Sequence, residues 1–257
     1  MNIVTAPTLA KLLARTRGLN HWLILEETGK TLSTLYRDFA LTDYDLLFLQ
    51  TRYAEFLKRS PVVVPLQEAT KNIFDTFATD SRKSIAPGVV VASAASQQDV
   101  LHHLRKCLEV TFYGNRKGML RFYHPDIAAV LFTKPENVSA QWFGPIEQWI
   151  WQGEEKSTLP TAIPQWQALQ SNDQTAATVK ETDRVLRLSR HQEQALERYI
   201  RLMRAWKQYR QPGESLDDVA VRCRFLKSDM AMQAIYPELS TKHQIETPAS
   251  CTAGSET

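Results

Sequence analysis

Three short runs are apolar almost from end to end: residues 21–25 (HWLIL), 61–66 (PVVVPL) and 88–92 (GVVVA). A strand with one face in water alternates polar and apolar side chains, so runs lacking that alternation fit strands covered on both faces. They predict a twisted sheet flanked by helices, in an α+β (mixed α/β) amino-terminal lobe. An aromatic stretch, 146–151, adds a last strand in which Trp149 and Trp151 share one face and Ile150 takes the other.

Helix signals fall between the strands. Thr8 caps a helix whose stripe is Leu9, Leu12 and Leu13, and Gly18 stands where it would stop. A strand over 45–49 and a helix over 51–59, capped by Thr51, precede the 61–66 run, and a helix over 68–78 follows it. Ser96 with Asp99 has the spacing of a capping box, ahead of Val100, Leu101, Leu104 and Leu108 at helical intervals. The turn 114–118 joins strands predicted at 108–113 and 119–123, and Pro125 opens a short helix over 126–132.

Past residue 152 the composition turns polar, and 153–183 reads as a linker. A smaller all-α carboxy-terminal lobe is expected over 184–240. It opens with a second capping box, Ser189 and Gln192, on a helix whose apolar face is Leu188, Ala195, Tyr199, Met203 and Trp206 and which ends before Pro212. Ser215 with Asp218, and Asp229, mark two further helix starts, and 241–257 reads as a disordered tail.

The function classes narrow by elimination. With 9 glycines and neither G-x-G-x-x-G nor a P-loop, a Gly-loop nucleotide site is not expected. Cys107, Cys223 and Cys251 are odd in number and far apart, which argues against a disulfide framework or structural zinc and for a reducing cytoplasm. No run approaches the ~18 apolar residues of a membrane span. The basic start, with Lys11, Arg15 and Arg17 ahead of the first acid Glu26, fits a folded helix better than a transit peptide. His102 and His103 are neighbours, about 100° apart on a helix, and cannot make an i, i+4 zinc pair. Asp43, Asp45, Asp217 and Asp218 sit at turns or helix starts, where carboxylates bond orphan backbone N–H groups. No catalytic residue, metal or cofactor is assigned, and no enzyme is expected.

Two features point to binding. Residues 184–210 hold seven Arg and one Lys against Glu193 and Glu197, a local charge of +6 in a chain whose total is +3. Arg187, Arg190, Arg201 and Arg204 are placed to meet carboxylates on a protein partner, with Trp206 beside them. Phosphates are the alternative, a nucleic-acid-binding protein using this helix, although no recognised DNA- or RNA-binding motif accompanies it. Four of six tryptophans lie within 142–166, and Trp149 and Trp151 are candidate partner contacts if one strand face is left partly open.

The order of segments resembles a family. Residues 119–126 (MLRFYHPD) resemble the "LRFYDPR" signature of type VI secretion effector adaptors (chaperones), and 101–110 (LHHLRKCLEV) resemble that family's helix and strand before it. Phe143-Gly144-Pro145-Ile146 followed by Trp149 resembles its "GP...W" segment, while 22–25 and 60–66 occupy the places of two upstream strands. His124 stands where the family usually has Asp, and Glu26 where its opening strand often ends in Asp. The resemblance implies a non-catalytic, cytoplasmic bacterial protein that binds a toxic effector and promotes its loading onto the VgrG spike, without contact to a membrane. It marks Arg121, Phe122, Tyr123, Pro125, Gly144 and Pro145 as scaffold. On an extended strand Phe122 would face one way and Arg121 with Tyr123 the other, Arg121 pairing a carboxylate or carbonyl groups.

Overall fold

A computed structural model describes residues 1–79, 85–153, 165–171 and 185–209. Residues Met1–Glu197 form one compact unit and Arg198–Thr257 a second. In the first, the chain runs β1 (Asn2–Ala6), α1 (Leu9–Arg15), β2 (Asn20–Leu25), α2 (Thr31–Phe39), β3 (Asp45–Leu46), β4 (Val62–Pro65), α3 (Lys71–Thr79), β5 (Gly88–Ser93), α4 (Gln97–Cys107), β6 (Glu109–Thr111), β7 (Lys117–Met119), α5 (Pro125–Phe132), β8 (Gln148–Gln152), β9 (Trp166–Gln170) and β10 (Leu186–Arg187). The helix α6 (Arg190–Tyr209) follows, and its residues from Arg198 onward belong to the second unit.

Seven strands form one antiparallel sheet in the order β1-β9-β8-β5-β2-β4-β3. The absence of polar alternation in its central strands has the expected cause, a core on each face. Trp22, Ile24, Val89, Val91, Trp149 and Trp151 point into one, together with apolar residues of α4 and α5. Leu23, Leu25, Val90 and Ile150 point into the other, with Leu9 and Leu12 of α1, Leu35 of α2 and Ile73, Phe74 and Phe77 of α3. A mixed α+β architecture results, as predicted. The strands β10, β6 and β7 make a second, three-stranded sheet beyond α4, with β6 and β7 antiparallel and β10 parallel to β6.

The caps form as their spacing demands. Thr8 Oγ1 accepts from Lys11 N at 3.4 Å, Ser96 Oγ from Asp99 N at 3.2 Å, and the Ser189–Gln192 box closes both ways at 3.2 and 3.0 Å. Elsewhere the expectations shift. The strand of 45–49 stops at Leu46, and 51–59 becomes a 3-10 helix, Ala54–Arg59, that buries none of its residues. Only Tyr53 and Leu57 pack partly against the core, and the segment follows local turn chemistry, Thr51 Oγ1 accepting from Tyr53 N and donating to Phe48 O.

The range 153–183 is not a linker throughout. Its residues Trp166–Gln170 are β9, an interior strand bonded to β1 and β8, and Trp166 lies against Phe77 with ring centroids 5.7 Å apart. The predicted lobe over 184–240 begins with strand β10 before its helix; residues 210–240, with the helices expected after Ser215 and Asp229, and the tail 241–257 lie outside the described residues. No helix among the described residues is long and apolar enough to cross a membrane.

Candidate functional site

The motif over 119–126 is not a strand. β7 ends at Met119, Leu120 N makes the last rung to Leu108 O at 2.8 Å, and His124 N donates to Arg121 O at 3.0 Å, closing a tight turn. In a turn two neighbours can face the same way, so Phe122 and Tyr123 are both buried while Arg121 stays out. The predicted alternation of these residues is thereby overturned. Phe122 sits edge-on to Trp149 at 5.5 Å, and burial pushes the Tyr123 phenol above its ordinary range, with Arg121 opposing. Pro125 takes the first position of α5, where its missing N–H costs nothing.

His124 caps that helix, its Nδ1 accepting from Asp126 N at 3.3 Å, which leaves the neutral ring's proton on Nε2. Nε2 lies 3.9 Å from a Glu26 carboxylate oxygen, and Nδ1 lies 3.8 Å from Asp126 Oδ2. The expected carboxylate for Arg121 is Glu26, which accepts from its guanidinium; the two side chains are 49% and 18% exposed. Glu26 follows β2, so this cluster ties the centre of the large sheet to the start of α5. The Glu and His that depart from the family pattern thus face one another.

The Gly144-Pro145 segment is equally structural. The Trp142 carbonyl accepts from Trp149 Nε1 at 3.1 Å and lies 3.0 Å from His103 Nε2. Gly144 holds φ +47, and a Cβ there would meet His103 Nδ1 at 2.4 Å, so only glycine lets the imidazole of α4 lie against this backbone. Pro145 O accepts from the Ser93 hydroxyl of β5.

Of the proposed partner contacts, Trp149 and Trp151 are corrected: both are 0% exposed. The Phe132 ring of α5 covers them, with centroids at 5.3 and 5.7 Å. Arg187 and Arg190 are exposed in the first unit, and Arg187 donates to Asn115 Oδ1 at 3.1 Å. Arg201 and Arg204 are exposed and Trp206 is half-buried, all three in the second unit.

Surface chemistry that the sequence reading missed gathers on the outer face of the small sheet. Register places Lys117, Thr111 and Arg187 in one row across it, and Met119 beside Glu109 in the next, with Val185 one step before β10 aligned to Glu109. Val110 and Leu186 take the opposite, core face. Glu109 is bridged by Lys117 Nζ at 3.0 Å and by Arg52 at 2.6 Å, and these two cations hold its carboxyl below the usual range. Met119 is 42%, Val185 40% and Tyr113, at the hairpin tip, 75% exposed. The signal was a hairpin whose strands pair Glu109 with Met119; placing the turn over 114–118 and the second strand over 119–123 puts Lys117 in the turn and hides it.

Residues 21–141 match the family model described as a domain of unknown function, DUF4123. That family is associated with type VI secretion effectors. The matched segment contains β2 from His21 on, β4, the α4–β6 segment and the turn over 119–126, whereas Gly144, Pro145 and Trp149 lie beyond it. No curated protein and no solved structure matches the chain.

Proposed function

We propose that this chain is a non-catalytic adaptor of the bacterial cytoplasm that binds a type VI secretion effector and promotes its loading onto the VgrG spike. The observation that carries the proposal is the family match over residues 21–141. The internal place of the motif residues agrees with it: Phe122, Tyr123, Pro125 and Gly144 are spent on packing, capping and close approach, so recognition falls to surface side chains. An adaptor needs an accessible surface of mixed apolar and charged character rather than a pocket of perturbed acids and bases.

Affinity purification of the tagged chain from its own bacterium tests the proposal. One large toxin-like protein at near-equal amount is expected, and deletion of the gene should stop that protein's export while the spike is still secreted. Unchanged export after deletion overturns it. Trp206→Ala combined with Arg201→Glu and Arg204→Glu should weaken effector binding without loss of fold; unchanged affinity removes the basic helix from the interface. Steeply salt-dependent binding to generic DNA or RNA, with no protein partner, would instead favour the nucleic-acid alternative.

A further inference from the structure

We propose that the three-stranded sheet takes an extended polypeptide segment of the partner, added as a fourth strand on the free edge of β7, with an acidic side chain opposite Lys117 and an apolar one opposite Met119. The identity of that partner rests on the adaptor proposal; the edge and its chemistry do not.

The backbone comes first. β7 ends its sheet, and the rungs Leu120 N to Leu108 O and Phe112 N to Arg116 O fix which residues face β6. Alternation then turns the polar groups of Gly118 toward β6 and those of Lys117 and Met119 away from it. Among the described residues nothing bonds to that outward row. Edge strands are commonly guarded by a cover, a proline, a bulge or a lysine reaching over the edge. Here the one lysine is drawn back across the sheet onto Glu109, which leaves the row approachable.

The side chains then select the occupant. Among the described residues of the outer face, Lys117 and Arg52 bridge one carboxylate, Glu109, Arg187 is exposed and donates to Asn115 Oδ1, and Met119 and Val185 stand exposed beside Glu109. Glu193, the other nearby acid, is turned to the hairpin tip, where it accepts from Tyr113 N at 2.9 Å. In strand addition the main-chain bonds give affinity and alternate side chains give selection. Lys117 and Met119 are two residues apart on one face, so the fitting segment repeats acid, any, apolar.

A synthetic probe tests this on the full chain. It is a nine-residue peptide in which glutamate and valine alternate on one face with threonine between them, compared with its lysine-for-glutamate counterpart and a copy N-methylated on alternate amides. Fluorescence anisotropy should show saturable binding of the acidic probe, about tenfold tighter than the basic one, loss of binding on N-methylation, and reversal of the charge preference in Lys117→Glu. Met119→Pro, which removes an outward N–H and spares the β6 rungs, should lose the probe at unchanged melting temperature. Absent binding, equal binding of the two charges, or indifference to N-methylation on the native chain overturns the proposal. So does a concentration-dependent dimer that Lys117→Glu abolishes, which would give the edge to a second copy. The probe needs no natural partner, so its failure leaves the adaptor proposal standing, and a failed co-purification leaves a positive probe result standing.

Discussion

The two sheets of this chain are built to opposite ends. The central strands of the seven-stranded one are covered on both faces, so even its tryptophans are buried; the three-stranded one buries Thr111 on its outer face but leaves Met119, Val185, Lys117 and Arg187 exposed there. The first spends its large side chains on packing, and the second leaves polar and apolar side chains accessible. Richness in aromatic residues is therefore a poor guide to an interface here. What matters is whether a layer lies over the strand: α5 lies over β8, whereas Lys117 and Met119 on the outer side of β7 stay exposed.

The comparison breaks first if the large sheet yields easily. Trp149→Ala removes an indole packed against Phe122, Phe132 and Trp142 and orphans the Trp142 carbonyl of one donor, at an expected cost of about 3–5 kcal/mol by urea unfolding. A loss below about 1 kcal/mol would mean that the site tolerates a cavity and that Trp149 is retained for another reason. Gly144→Ala comes next. A positive φ and a Cβ placed 2.4 Å from His103 together cost about 2–3 kcal/mol, and thermal melting should fall accordingly.

That contrast was only half legible in the sequence. The unbroken apolar runs announced β2, β4 and β5, and the hydroxyl caps at Thr8, Ser96 and Ser189 fixed three helix starts, because both signals act within a few residues. β1 and β9 escaped: each is five residues long, their pairing joins Asn2 to Gln170 across most of the chain, and β9 sits in polar surroundings that read as a linker. The Arg-Phe-Tyr run looked like an alternating strand, but Pro125 and its His124 cap require a turn just before them, and tertiary packing drew both aromatics inward. Of the outer face, only Arg187 showed through, as local charge. Glu109 and Lys117 meet through the register of one hairpin, and Val185 joins them from a distant segment, neither of which composition can display.

Acid titration sharpens the comparison, since each sheet holds one shifted group with its own window. His21 of β2 is buried against Thr16, 2.8 Å from its hydroxyl, and desolvation lowers its pKa from the ordinary 6.5. The folded chain keeps the ring neutral while the unfolded chain takes the proton, so this contribution is full above about pH 6.5 and is lost as pH falls below it, at up to about 1.4 kcal/mol per pH unit. Stability measured from pH 7.5 to pH 5.5 should decline, and His21→Gln should flatten that decline. A slope unchanged by the substitution would assign the protonation to another histidine.

The smallest effect belongs to the small sheet. Lys117 and Arg52 lower the Glu109 pKa, so its share of stability is present above the ordinary carboxylate value and disappears only as pH falls through the lowered one, a window well below that of His21. Both cations are more than half exposed, and exposed pairs contribute about 0–1 kcal/mol. Glu109→Gln should therefore cost less than about 1 kcal/mol at neutral pH in low salt, and the difference should vanish in about 1 M salt, where the Debye length is about 3 Å. A large, salt-insensitive loss would mean that this triad is buried by something and holds the fold, which would erase the distinction between the sheets. A small, screened one leaves Lys117 energetically available, since an ammonium that contributes little to folding can exchange Glu109 for a partner's carboxylate at little cost.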